Sequence, residues 1–152
     1  MSAQADRSCP VEAAPTRQAY RLDDQVGFLL RRAQQRHVAI FAASIPDMTP
    51  PQFAVLAKLS ELGTCPQNQL GNLVAMDAAT VKGVIDRLKV RHLVEVCSDE
   101  SDRRRVLVSL TEQGEATLGG NIENAKNITD RTLKPLTAQE AETFVRLLAR
   151  LG

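Results

Sequence analysis

Seven basic residues, Lys82, Arg87, Lys89, Arg91, Arg103, Arg104 and Arg105, fall within about 24 consecutive positions of a 152-residue chain. Guanidinium and ammonium groups gathered this way suit one task above others: they displace counterions from a polyanion and hydrogen-bond its phosphates. The formal net charge is only +1, so charge is segregated along the chain rather than in overall excess. That is the pattern of a protein offering one basic face. The run Arg103-Arg104-Arg105 also has a plainer reading, a solvated loop whose charges are met by Asp99, Glu100 and Asp102. What precedes the run in the chain favours the first reading.

Other chemistries find little to work with. His37 and His92 are the two imidazoles, and Cys9, Cys65 and Cys97 are far apart, odd in number and without a CxxC pair. A disulfide framework or a structural zinc site is therefore not expected, and a reducing compartment is. No P-loop, GxGxxG, HExxH or GxSxG segment occurs, so no catalytic residues, cofactor or metal are expected and the chain does not read as an enzyme. Aromatic residues make up 3% and tryptophan is absent, which argues against base-stacking platforms. Met1 to Arg17 contains no apolar run, and no stretch approaches the ~18 apolar residues of a membrane span. A soluble, cytoplasmic protein is expected.

The elements that must carry the basic groups follow from periodicity. Residues 1–19, rich in Ala, Ser, Gln and Pro, read as a flexible tail. From Leu22 to about 45 an apolar seam (Val26, Leu29, Leu30, Ala33, His37, Ile40, Phe41) predicts one long helix, closed by Pro46. Its length calls for a partner helix, such as one from a second copy of the chain. Thr49-Pro50-Pro51-Gln52 supplies a cap, a proline at the first helical position and a capping box, and Gly63 a stop. Thr64-Cys65-Pro66-Gln67 repeats the opening signal before a short helix. Asp77 then caps a helix whose Val81, Val84, Ile85 and Leu88 form one buried stripe. Its outward residues are Ala78, Ala79, Thr80, Lys82, Gly83, Asp86 and Arg87.

After Arg91 the period changes from helical to alternating. Residues 93–97 and 106–110 read as an antiparallel hairpin whose tip holds the three arginines. Thr111 opens a helix to about Leu133, bent at Gly119-Gly120, and Thr137 with Glu140 caps a last one. Two short helices, a tight turn and a following hairpin suit duplex DNA: a helix fits the ~12 Å major groove while a hairpin reaches the flanking minor groove. Thr80, Lys82, Gly83 and Arg87 on the helix and Arg103, Arg104 and Arg105 on the hairpin are the candidate DNA-contacting residues.

Asp102-x-Arg104-x-x-x-Val108-x-Leu110-Thr111 resembles the DxRxxxVxLT wing signature of the MarR family of bacterial transcription regulators. Leu73 to Val94 is similar to that family's recognition segment, and Thr49-Pro50-Pro51-Gln52-Phe53-x-x-Leu56 to its second-helix opening. The resemblance spans residues ~22–151. It implies a mainly α fold with a small β-hairpin wing, in which a winged helix-turn-helix lobe (49–110) joins dimerisation helices from both termini (22–45 and 111–151). It also implies a homodimer on a palindromic operator, acting as a repressor that a small aromatic carboxylate or phenol releases. Asp102 is implied to position Arg104 rather than to touch DNA.

Under that resemblance His37, with Arg36 or Arg31 nearby, becomes a candidate partner for an acidic effector, since a buried anion needs cationic or hydrogen-bonding groups. The plainer reading of His37 is a hydrogen-bonded histidine of the core or dimer interface. Four positions depart from the family pattern. Gly83 stands where many relatives carry a larger polar residue, His92 replaces a glycine before the wing, and Val96 and Ser98 replace a frequent Arg and Pro. One branch of the family senses peroxide through a thiol, but Gly27 stands where its cysteine would be. A thiol-sensing regulator and a helical dimeric scaffold without DNA binding are the two alternative readings.

Overall fold

The computed structural model describes residues 20–152; the expected tail and Cys9 lie outside the described residues. A short 3-10 turn, Leu22–Asp24, leads into α1 (Val26–Ser44), followed by α2 (Pro50–Leu62), β1 (Cys65–Pro66), α3 (Gln67–Leu73) and α4 (Ala78–Val90). β2 (Val94–Ser98) and β3 (Val106–Leu110) come next, then α5 (Glu112–Gly119), α6 (Ile122–Leu133) and α7 (Ala138–Leu148).

The caps read from sequence are present. Thr49 and Gln52 form a reciprocal capping box on α2, and Thr137 and Glu140 form another on α7. Gly63 ends α2 with a φ of 74°, a left-handed backbone that glycine adopts without Cβ strain. Val81, Val84, Ile85 and Leu88 are all buried. They meet Val55, Leu56, Leu59, Leu70, Leu93 and Val108 in an aliphatic core beneath the α2–α4 unit. Phe41 and Phe53, the aromatic members, meet edge to face with centroids 6.0 Å apart.

Four boundaries differ from the sequence expectation. The first helix starts at Val26, because Gln25 is extended (φ −85°, ψ 128°) and Leu22–Asp24 closes as a separate turn; aspartates favour such turns over helix interiors. Residues 64–67 do not repeat the α2 opening. Pro66 precedes α3 without a side-chain cap, and Cys65–Pro66 instead pairs antiparallel with Val108 and Leu107. The hairpin is thus the outer part of a three-stranded sheet of order β1-β3-β2. The first hairpin strand begins one residue late, at Val94, because Leu93 bonds elsewhere: its N–H donates to the Leu88 carbonyl and its carbonyl accepts from Thr111. Finally, Gly119-Gly120 does more than bend a helix, since α5 ends there and α6 begins anew at Ile122.

The wing is tied to the helices at its base. Thr111 caps α5, its hydroxyl accepting from Gly114 N–H and donating to the His92 carbonyl. A Cβ on Gly114 would lie 2.0 Å from the Leu93 carbonyl oxygen, so only glycine lets α5 close on the Leu93 backbone. His92 takes a φ of 57°, the left-handed turn expected where a glycine is replaced. α1 packs along α6, and α7 buries none of its residues within the chain.

Candidate nucleic-acid interface

α4 and the wing present their basic groups outward from this scaffold. Asp77 caps α4 by accepting the Thr80 N–H at 2.8 Å, and its other oxygen accepts the Thr80 hydroxyl at 2.9 Å. The Thr80 backbone N–H first, and its hydroxyl second, hold the Asp77 carboxyl below its ordinary value. Thr80 has therefore spent its hydroxyl proton inside the chain, which leaves its methyl group as the outward feature suited to a thymine methyl. Lys82 donates to Asp86 one turn along at 2.6 Å in an exposed pair; such pairs are weak and exchange readily. Arg87 is exposed and makes no ion pair among the described residues. Gly83 lies on the same outward face, with nothing within 4 Å of a Cβ built on it. Arg91, counted among the seven clustered bases, is directed away: it donates to the Asp47 carbonyl at 2.7 Å, bracing the end of α4 on the α1–α2 connection.

At the wing tip, Asp102 accepts the Arg104 backbone N–H at 3.0 Å, while the Asp102 carbonyl accepts from Arg105 N–H at 2.8 Å. The Asp102 carboxylate thus shapes the turn on which Arg103, Arg104 and Arg105 stand, and its hydrogen bond is to the Arg104 backbone rather than the guanidinium. The Ser101 hydroxyl, then the Ser101 N–H, lowers the Asp99 carboxyl below its usual range, with a smaller contribution from Arg105. Arg105 lies 3.7 Å from Asp99. Arg103 and Arg104 are exposed and have no ion pair among the described residues. A cleft of about 200 Å³ between the start of α3 and the wing base is lined by Gln67, Asn68, Arg104, Arg105 and Val106. β1 brings α3 to the wing here, an arrangement no local motif in the sequence announced.

The candidate effector residues separate. His37 lines a largely apolar cavity of about 310 Å³ among α1, α6 and α7, with Leu30, Thr132, Leu133, Phe144 and Leu148. His37 Nδ1 lies 3.1 Å from the Thr132 hydroxyl, which in turn donates to the Ile128 carbonyl at 2.7 Å. With its one proton used there, the Thr132 hydroxyl oxygen is the acceptor in its contact with His37 Nδ1. Arg36 donates to the carbonyls of Arg131 (2.8 Å) and Thr132 (3.5 Å), satisfying the open end of α6 from another helix. Arg131 returns the contact by donating to Ser44 at 2.9 Å. Arg31 stands apart, on a second cavity of about 420 Å³ with Tyr20, Gln25 and Phe28. A third cavity of about 310 Å³ opens between the end of α1 and the start of α2, walled by Val38, Phe41, Met48 and the buried Gln52. Gly27 is exposed on α1, Cys97 is exposed on β2, and burial raises the Cys65 thiol above its ordinary value. Among the described residues no helix is long and apolar enough to cross a membrane.

Two short helices carrying an exposed recognition face, followed by a sheet-anchored basic hairpin, define a winged helix-turn-helix protein. The sequence profile of the MarR family matches residues 48–106, from the start of α2 to the wing. The transcriptional repressor NicR of Pseudomonas putida is 40% identical over 146 residues, covering 95% of this chain and 90% of that protein. A probable transcriptional regulator from Pseudomonas aeruginosa superposes with a TM-score of 0.84 at 53% identity, over 87% of this chain and 100% of the other. BpsR of Bordetella bronchiseptica, whose DNA binding is regulated by 6-hydroxynicotinic acid, superposes with a TM-score of 0.84 at 44% identity, over 88% and 96% of the two chains. The chain belongs to the MarR family of transcription regulators.

Proposed function

We propose that this protein is a homodimeric repressor that binds a palindromic operator and leaves it when a small hydroxylated aromatic acid binds. The observation carrying this reading is the joint exposure of Arg87 on α4 and Arg103 and Arg104 on the wing, without competing ion pairs, on a fold shared with regulators of known DNA and ligand response. Thr80, Lys82, Gly83 and Arg87 enter the major groove and the wing arginines reach its flank, with Asp102 holding the wing turn. The lobe 49–110 reads DNA. Residues 22–45 and 111–151 join two copies through the apolar faces that a single chain leaves uncovered, where Val26 is 66% and Leu151 73% exposed.

The effector occupies the His37 cavity. His37 Nε2 takes a hydroxyl or N–H from it, and Arg36, which reaches from α1 to the end of α6 beside His37, is the cation for its carboxylate, while Arg31 lies on a separate cavity. Displacing the Arg36 bonds would loosen α6 from α1 and so shift the two lobes. BpsR supplies the probe. Fluorescence anisotropy with a duplex selected from a randomised pool, at two salt concentrations and with 6-hydroxynicotinate, tests the reading. Binding should fall steeply with salt, and the ligand should release wild-type protein but release His37→Ala much less. Salt-independent binding would leave the dimeric-scaffold alternative, and full release of His37→Ala would move the effector to another cavity.

A further inference from the structure

We infer that Gly83 sets the depth at which α4 sits in the duplex and is thereby a specificity-determining residue of the proposed DNA-binding face. This deepens that reading and rests on it.

Glycine weakens a helix. In a helix interior it loses more conformational freedom on folding than alanine and offers no side chain, so it is retained where something needs the space or the backbone angle. Three of the chain's eight glycines have such a reason within the chain. A Cβ at Gly71 would crowd the Met76 carbonyl and Val81 at 3.1 Å, one at Gly114 would strike Leu93 at 2.0 Å, and Gly63 has a positive φ. Gly83 has none of these: it is helical, and a Cβ there would meet nothing within 4 Å. Gly27 and Gly119 share the open surroundings, but they sit in the first and last turns of α1 and α5, where an interior penalty does not apply. Gly83 is the sixth of the 13 residues of α4, the interior of the element that must be stable to present the site.

The missing reason lies outside the chain. At 100° per residue, Gly83 is nearly opposite the Val81–Val84–Ile85–Leu88 stripe, flanked by Lys82, Asp86 and Arg87. It therefore shares with Asp86 the line of α4 that goes deepest into a groove. Omitting one carbon there lets the backbone approach by about 1.5 Å, one C–C bond length. An approach of that size decides whether Lys82 and Arg87 reach base edges or stop at phosphates, since direct readout needs hydrogen-bond distances.

The test uses Gly83→Ala in the full-length protein, with two probes: a duplex selected on wild-type protein from a randomised pool, and a scrambled duplex of the same length and composition. Alanine should raise the melting temperature by a few degrees, so any loss of binding cannot come from misfolding. Affinity for the selected duplex should fall about tenfold or more. Affinity for the scrambled duplex should stay within about twofold and its salt slope should be unchanged, because no charge is altered. Wild-type affinity of Gly83→Ala for the selected duplex overturns the inference and leaves the DNA-binding reading standing, as does an equal loss on both duplexes. Wild-type protein that binds neither duplex overturns both.

Discussion

Ala75 in the turn before α4 and His92 before the wing have φ angles of 54° and 57°. Left-handed backbone costs a residue with a Cβ roughly 1–2 kcal/mol, and both sites are exposed, so nothing is recovered by packing. Glycine removes that cost and gives part of it back through the freer unfolded chain. Ala75→Gly and His92→Gly should each stabilise the protein by about 0.5–1 kcal/mol, read as a higher urea midpoint at unchanged slope. The wing arginines differ in availability: Arg105 lies near Asp99, whereas Arg104 has only its backbone engaged. Arg104→Ala should therefore weaken binding to all duplexes alike and reduce the salt slope by about 1. An unchanged slope in that titration would remove Arg104 from the contacts with DNA.

Two helix starts and the wing turn link stability to pH. Asp77, Asp99 and Glu140 are each held below the ordinary carboxylate range by hydrogen bonds, led by the Thr80 N–H, the Ser101 hydroxyl and the Thr137 N–H respectively. Groups with lowered folded-state values stabilise fully above the unfolded value, about 4. That contribution disappears as pH falls through the folded-state value, because the unfolded chain then takes up protons first. The melting temperature should drop between about pH 4 and pH 2. Asp77→Asn keeps a cap that does not titrate, so its thermal unfolding should depend less steeply on acid than wild type over the same interval. Equal steepness would place the acid sensitivity elsewhere. The base of the wing is braced in another way, through Thr111, His92 and the close contact of Gly114 with Leu93. The hairpin therefore projects from a fixed root while its tip stays in solvent.

Across the molecule, two surfaces contrast. One is the basic face of α4 and the wing. The other is apolar: Val26, Leu29, Leu30, Phe144, Leu147 and Leu148 on α1 and α7 all remain exposed in the single chain, a patch of the kind that marks a protein interface. Burying a carboxylate there without a partner costs several kcal/mol. Leu147→Glu should raise the dimer dissociation constant about 100-fold or more, measured by sedimentation velocity. Binding to a two-half-site duplex should weaken with it, while the α2–α4 lobe keeps its fold. A variant that stays fully dimeric would move the interface off α7.

Much of this protein was readable along the chain. Thr49 with Gln52, Asp77, Thr111, and Thr137 with Glu140 each act on a backbone group within three positions. The α4 stripe and the wing strands are likewise properties of neighbours, whose free energies depend on local spacing alone. Charge clustering pointed to the candidate DNA-facing residues, and the DxRxxxVxLT segment did so by family resemblance. Contacts between distant positions were not readable. Cys65–Pro66 pairs with Val108 and Leu107, turning a hairpin into a three-stranded sheet. Arg36 and His37 were expected to face an effector together with Arg31. What spacing along the chain did not show is that Arg36 and His37 bond to residues 95 positions away at the end of α6 and that Arg31 lines another cavity. Arg91 was grouped with the basic cluster until its bond to Asp47, 44 residues earlier, removed it from the exposed set. Which of several equivalent arginines is spent on a carbonyl and which remains for DNA depends on where packing places the carbonyls. That placement follows from the whole core closing at once, not from any one segment of the chain.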